Sequence, residues 1–296
     1  NKFLFDPIGL FRFKGIEHSV PVFSFLGLRN VNQQIQLNQT PLVGRTDELQ
    51  QILHYIENVR NVEPAGIILL KSEGGTGKTR LLSEIIRQIQ TKEIIILNSF
   101  GYAIENSTPY FVIRELIGQL INADKYSTVD LQEHILDLVK DINPEWELLL
   151  PLLGDILPLN YTDNELTSQM YGDIKARNLH SLLIGIFSSL TRQKACLIIL
   201  DDAHWIDSAS WAFIKELINS VPKTGLIISS RPFGIDPPSD YQELIDNSPL
   251  TEILLNNFSK TDIDKLVSQV IGVSSLPDDA LSLIFERTSG HPFFSE

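Results

Sequence analysis

Cysteine is almost absent: Cys196 is the only one in 296 residues, which excludes an internal disulfide framework and fits a reducing compartment. Methionine is equally scarce. Met170 is the only one and the chain begins at Asn1, so the sequence reads as an internal piece of a longer protein or as a trimmed terminus. Long apolar runs are missing too. None approaches the ~18 to 20 residues needed to span a bilayer, and the N-terminus lacks the pattern of a signal peptide. The expectation is a soluble cytoplasmic protein without a membrane partner. Positive charge is in short supply, since 24 Lys plus Arg against 37 Asp plus Glu leave a formal net charge of -13. An acidic chain without a basic stripe repels phosphate backbones, so no direct nucleic-acid partner is expected. No internal repeat or low-complexity tract is present.

What remains is ordinary globular composition. Hydrophobic residues make up 43% and charged residues 21%, enough to bury a sizeable core in roughly two domains. Residues 1–28 read as two strands, Leu10 to Lys14 and Val20 to Leu26, around a turn containing Gly15. A lone hairpin is barely stable in water, so these strands belong to a sheet beginning before residue 1 or pack on the residues C-terminal to them. Residues 29–40 are polar and Asn/Gln-rich and read as a linker. From Pro41 apolar runs alternate with helical patterns, which predicts an α/β layer structure with a five-stranded, mainly parallel sheet flanked by helices. The expected strands are Ile67 to Leu70, Ile94 to Leu97, Leu197 to Leu200, Leu226 to Ile228 and Ile253 to Leu255. Leu81, Leu82, Ile85, Ile86 and Ile89 at spacings of three and four predict an amphipathic helix over Thr79 to Gln90.

A helical insertion is expected over about residues 103–192. Within it, residues 124–174 carry 11 Asp plus Glu against Lys125 and Lys140, so 2 minus 11 gives -9. Leu131, Ile135 and Leu138 stand at helical spacing there, followed by the bulky Leu148 to Leu153 run. The acidic stretch is a solvated face or a docking surface for a basic partner.

Chemistry concentrates in two places. Ser72-Glu73-Gly74-Gly75-Thr76-Gly77-Lys78-Thr79 comes after an expected strand and opens an expected helix. Amide groups of a Gly-rich turn converge on an anionic oxygen, and the helix adds its positive dipole end. This is a phosphate-binding loop, with Lys78 reaching the outer phosphates and the Thr79 hydroxyl ligating Mg²⁺. The motif has Gly at its first position and this chain has Ser72, so the loop must accommodate a side chain there. The alternative is a Gly-rich surface turn with an incidental lysine. The second place is Cys196 to Asp202, an apolar strand ending in two carboxylates. Asp201 is positioned to hold Mg²⁺ through water, and Asp202 to orient or deprotonate an attacking water. His204 lacks companions at metal-ligand spacing and reads as a hydrogen-bonding residue; Trp205 reads as packing. Arg231, at the exit of the fourth strand, either reads a γ-phosphate or caps a surface loop.

Leu42-Val43-Gly44-Arg45-Thr46-Asp47-Glu48-Leu49, the phosphate loop, Leu200-Asp201-Asp202-Ala203-His204-Trp205-Ile206-Asp207, Ser229-Ser230-Arg231-Pro232 and Ser289-Gly290-His291-Pro292-Phe293-Phe294 occur in this order along the chain. That series resembles STAND-type AAA-like ATPase modules of the kind fused behind class III adenylate/guanylate cyclase domains. The resemblance covers residues 41–296 and implies a P-loop NTPase core over 41–258 and the start of a helical lid over 259–296. It places Val43, Gly44 and Arg45 along the adenine side of the nucleotide and brings Pro292 over the base. It sets the Arg231 strand between those of the loop and the acids, so that Arg231 faces the γ-phosphate. Gly9 to Glu17 and Val20 to Phe23 look like the last two strands of a cyclase domain. The catalytic residues of such a domain lie upstream, so this segment itself cyclises nothing.

The resemblance therefore implies a regulatory switch that binds ATP or ADP with Mg²⁺ and hydrolyses ATP slowly, no trans-acting arginine being identifiable. Implied partners are a fused cyclase domain upstream and a protein partner or further C-terminal repeats downstream. Two other functions remain open: a non-hydrolysing nucleotide-bound scaffold that recruits a protein, and the ATPase module of a transcription activator.

Overall fold

The computed structural model describes residues 3–11, 20–28, 41–61, 66–89, 94–157, 159–233 and 237–295. The chain divides into two compact units, Asn1–Pro41 and Leu42–Glu296. In the first, β1 (Phe3–Phe11) and β2 (Val20–Leu28) form an antiparallel pair that runs from Phe3 opposite Leu28 to Phe11 opposite Val20. The first strand begins well before the expected Leu10. Pro7 argues against a strand in the sequence, but the register shifts on either side of it, between Leu4 and Phe5 and between Pro7 and Gly9, and a two-stranded ribbon tolerates proline at such an irregularity. The expected end of that strand at Lys14, the Gly15 turn and the linker over 29–40 lie outside the described residues.

In the second unit the apolar runs form β3 (Ile67–Lys71), β4 (Ile94–Phe100), β5 (Ala195–Asp201), β6 (Thr224–Ser230) and β7 (Leu250–Leu254). All neighbours are parallel, in the order β4-β5-β6-β3-β7. The α/β fold expected from the sequence is therefore the fold observed, and β6 lies between the strand preceding the loop and the strand ending in the acids. Every residue of β5 is buried, which is why it reads as an unbroken apolar run. Edge strand β7 buries only Ile253. That one-sided burial hides Leu250 to Glu252 from an apolar-run criterion and explains why the strand reads three residues late.

Ten helices surround the sheet and extend beyond it among the described residues. In chain order they are α1 (Thr46–Arg60), α2 (Lys78–Ile89), α3 (Phe111–Leu120), α4 (Thr128–Ile142), α5 (Gly172–Thr191), α6 (Ser208–Ser220), α7 (Ser239–Asn247), α8 (Lys260–Ile271), α9 (Asp278–Thr288) and the single turn α10 (Pro292–Ser295). The apolar face predicted for α2 is buried throughout. Ile67, Leu69, Ile198, Leu200, Leu226 and Ile228 share one core with the buried faces of α3, α5 and α6. The alternate residues Ile68, Leu70, Leu197, Ile199 and Ile227 are buried on the opposite face. Each such side chain contributes about 1.5–3 kcal/mol when withdrawn from water.

Within the insertion, residues 144–155, which contain the bulky Leu148 to Leu153 run, form a 3₁₀ stretch. Asn143 caps it by accepting from Glu145 N, Pro144 opens it and Pro151 sits inside. A second proline without an N–H prevents a continuous α ladder. On the free side of β4, the Gln119 side chain of α3 accepts from Asn98 N at 3.1 Å and donates to Asn98 O at 2.7 Å. At the C-terminal end Ser259 opens α8 through a capping box with Asp262. Ile263, Val267 and Leu281 form a small core between α8 and α9. No helix among the described residues is long and apolar enough to cross a membrane.

Candidate nucleotide site

The loop after β3 shows how a serine fits where the motif has glycine. The Ser72 and Thr76 hydroxyls share a hydrogen bond of 2.5 Å, and Ser72 Oγ also accepts from Lys78 Nζ at 3.0 Å. The side chain is thus a rung inside the loop. Lys78 Nζ further donates to Ser72 O at 3.0 Å and Glu73 O at 2.8 Å. Burial lowers the Lys78 pKa, while the Asp201 and Asp202 carboxylates pull it upward. Gly75 has φ +80°, and a Cβ there would come within 2.7 Å of His291 Cε1 and 2.9 Å of Phe293 Cβ. Glycine is required both by the backbone and by the segment that packs on it.

Helix α2 begins at Lys78 and presents Thr79 to the end of β5. Thr79 Oγ1 donates to Asp201 Oδ2 at 2.6 Å. Asp201 Oδ1 accepts from Ser229 Oγ at 2.7 Å and from Asp202 N at 2.9 Å. The Asp201 carboxyl is 2% exposed and has no ion pair among the described residues. Burial raises its pKa, with the hydrogen bonds from Thr79 and Ser229 opposing the rise. The donor set fits Mg²⁺. A hydroxyl and a carboxylate stand together as hard oxygen donors, which would hold this ion directly at Thr79 and through water at Asp201. Among the described residues no cluster of three or more His, Cys, Asp or Glu gathers to make an all-protein cage.

Asp202 is half-buried and has a left-handed backbone, φ 49°, a conformation that Asp tolerates better than most residues. His204 stands two residues on within a 3₁₀ turn, its pKa lowered by burial. Trp205, expected to pack, is partly exposed at 38%, with its ring 5.0 Å from that of His204. Asp207 serves the fold: it caps α6 by accepting from Ser210 N at 2.8 Å and also accepts from Tyr110 N at 3.1 Å. On the far side Arg231 leans over the loop, where a Cβ on Gly74 would lie 2.9 Å from Arg231 Nη2.

The structure therefore gathers Gly74, Gly75, Thr76, Gly77, Lys78, Thr79, Asp201, Asp202 and Arg231 at the C-terminal ends of β3, β5 and β6, where open α/β sheets bind ligands. Other sequence-derived residues reach the loop from outside. Arg45 Nη2 donates to Thr76 O at 3.2 Å and to Asn256 O at 2.5 Å, with its guanidinium 4.6 Å from the centre of the Phe258 ring. Gly44 faces Phe258 and Asp262, with Val43 half-buried beside it. Pro292 is buried between His291, which bonds Gly74 O, and Phe293, which bonds Gly75 O.

Sequence reasoning misses three groups. Ser229 is the penultimate residue of β6, two before Arg231, which stands just past the strand's end; a hydroxyl ending an apolar run is the available signal. His291 is legible only as part of a motif. Glu115 accepts a hydrogen bond from Ser99 Oγ, and burial raises its pKa. Burial also pushes Tyr102 up to about 12, helped by Glu115, Asp201 and Asp202.

Known proteins resemble this chain in sequence and in fold. Adenylate cyclase type 10 of Mus musculus is 24% identical over 301 residues, covering 96% of this chain and 18% of its own length. Adenylate cyclase type 10 of Homo sapiens is 23% identical over 261 residues, covering 86% of this chain and 16% of its own length. The chain thus spans less than a fifth of these relatives. The Aeropyrum pernix Orc1 protein, solved in complex with DNA, superposes with a TM-score of 0.51 at 12% identity, covering 89% of this chain and 61% of its own. That likeness is one of fold. The AAA ATPase domain family matches residues 41–228, from just before Val43 to the middle of β6 and including the loop and both acids, and the chain belongs to that family.

Proposed function

We propose that this chain is an ATP-binding, slowly ATP-hydrolysing regulatory switch within a larger signalling protein, the STAND-type module of an adenylate or guanylate cyclase. One observation carries the ATPase reading: Thr79 Oγ1 and Asp201 Oδ2 lie 2.6 Å apart, with Asp202 next along the chain. This arrangement brings the hydroxyl of a phosphate loop to the acidic end of β5, one strand removed from β3 in the sheet. Support for the cyclase setting comes from the mouse relative, whose match extends over 96% of the chain.

In this reading the Gly74 to Gly77 amides hold the β- and γ-phosphates, and Lys78 moves its N–H groups from Ser72 O and Glu73 O onto phosphate oxygens. Thr79 and Asp201 hold Mg²⁺, which offsets phosphate charge when bound. Asp202 accepts a proton from the attacking water as its oxygen bonds to the γ-phosphorus. The bond from γ-phosphorus to the bridging oxygen breaks, ADP leaves and the proton passes to phosphate. Arg231, beside Gly74, distinguishes ATP from ADP. All the cationic groups assigned here belong to the chain itself, which fits slow turnover in the absence of an arginine supplied in trans. Lys78→Ala is expected to abolish ATP binding, and Asp202→Asn to bind ATP without multi-turnover phosphate release. Unchanged phosphate release in both variants would contradict the ATPase reading. ATP binding without turnover by the wild-type chain would instead leave a nucleotide-bound scaffold.

A further inference from the structure

Four consecutive carbonyls of the phosphate loop are each held by a donor, the first from within the loop and the other three from outside it. Glu73 O accepts from Lys78 Nζ at 2.8 Å and from Thr76 Oγ1 at 3.0 Å. Gly74 O lies 2.8 Å from His291 Nε2; a carbonyl only accepts, so that nitrogen carries the proton. Gly75 O accepts from Phe293 N at 3.3 Å, and Thr76 O from Arg45 Nη2 at 3.2 Å. Of the donors to Gly74, Gly75 and Thr76, two belong to the Gly290–Ser295 segment of the lid, and the third stands before α1.

The peptide unit makes this more than a packing detail. No cis bond occurs among the described residues, and in a trans peptide the C=O and the following N–H point in opposite directions. Fixing the carbonyls of Gly74, Gly75 and Thr76 outward therefore turns the N–H groups of Gly75, Thr76 and Gly77 to the other side. None of those three amides donates to an acceptor among the described residues. The contact is close enough to dictate sequence, since no Cβ fits at Gly75 against His291 and Phe293.

We propose that His291, assisted by Arg45, is a positioning residue for the phosphate site. By holding the outer face of the loop, it aims the inner amides at the β-phosphate and so ties docking of the lid to recognition of a nucleoside diphosphate. The inference rests on the loop's being the phosphate site and adds that the His291 side chain shapes it from the outer face without touching the ligand. It predicts an effect on phosphate recognition specifically. Removing the His291 donor weakens binding of a ligand that reaches the loop's amides and spares one that stops at the α-phosphate.

The test is calorimetric titration of the 296-residue chain with ADP and with AMP, using wild type, His291→Ala, His291→Gln and Lys78→Ala. Glutamine carries an N–H at nearly the reach of the imidazole Nε2. His291→Ala is expected to bind ADP roughly tenfold more weakly, as loss of one positioning hydrogen bond implies, with AMP affinity unchanged. His291→Gln is expected to bind ADP within about threefold of wild type. Equal weakening of ADP and AMP in His291→Ala overturns the proposal, as does an ADP affinity of His291→Gln no better than that of the alanine variant. Should the alanine variant melt early without nucleotide, the glutamine variant and its ADP-to-AMP ratio decide. Failure of the nucleotide reading looks different: wild type and Lys78→Ala would then bind ADP and AMP indistinguishably.

Discussion

Replacing Asp201 by asparagine is expected to make the nucleotide-free protein more stable while removing its response to magnesium. The carboxyl is 2% exposed and is met by two hydroxyls and one backbone amide, at 2.6, 2.7 and 2.9 Å, with no cationic partner among the described residues. Asparagine keeps the same outline. Its Oδ1 accepts from Ser229 and Asp202, and its Nδ2 donates to the Thr79 oxygen, so all three contacts keep a counterpart while a desolvated charge disappears. Removing such a charge with its hydrogen bonds conserved is worth on the order of 1–3 kcal/mol. In a unit of this size that raises Tm by roughly 2–10 °C. The effect has a defined pH dependence. Because burial raises the folded-state pKa of Asp201, the folded wild type holds a proton that the unfolded chain releases in the window between the ordinary carboxylate value and the raised one. Wild-type stability therefore increases as pH falls through that window. The advantage of asparagine is full above the raised pKa and shrinks to nothing below the ordinary carboxylate value. The assay is thermal melting across pH with EDTA, repeated with ADP and Mg²⁺. A nucleotide-free Asp201→Asn protein that melts below wild type near neutral pH, or one that gains as much from Mg²⁺ as wild type does, refutes the reasoning.

Three further outcomes are expected. Arg231→Ala should bind ADP normally and lose about tenfold in ATP affinity, the worth of one charge-assisted contact to a γ-phosphate, measured by competition titration. Asp207→Ala removes the cap of α6 and the acceptor for Tyr110 N; a cost of about 2–4 kcal/mol should lower the nucleotide-free Tm with little change in ADP affinity. Ser229→Ala leaves Asp201 Oδ1 with the Asp202 amide alone, and should raise the Mg²⁺ concentration for half-maximal turnover by roughly tenfold while ADP binding without metal is unchanged.

The sheet is largely legible in the sequence because its central strands are buried on both faces. Ile67 to Leu70 and Leu197 to Leu200 have no solvent side to interrupt them. β7 reads late for the converse reason: Thr251 and Glu252 face water on an exposed edge. The 3₁₀ geometry of residues 144–155 is not legible from the apolar Leu148 to Leu153 run, because Pro151 within it acts on backbone geometry and leaves the hydrophobicity unchanged. At the site, loop and acids are readable locally because each motif is contiguous. The partners that fix them are not. Arg45 meets Thr76 and Asn256, 31 and 211 positions away, and Ser229 meets Asp201 across 28. The Ser229–Asp201 contact exists because β6 lies beside β5 in the sheet.

Gln119 acts as a one-residue substitute for a sixth strand. Its carboxamide answers both hydrogen-bonding groups of Asn98 on the outer side of β4, as a peptide unit of an adjoining chain would. A sheet margin finished in this way offers less for another molecule to continue. Assemblies of this module must then be built from surfaces other than a shared, extended β-sheet along that margin.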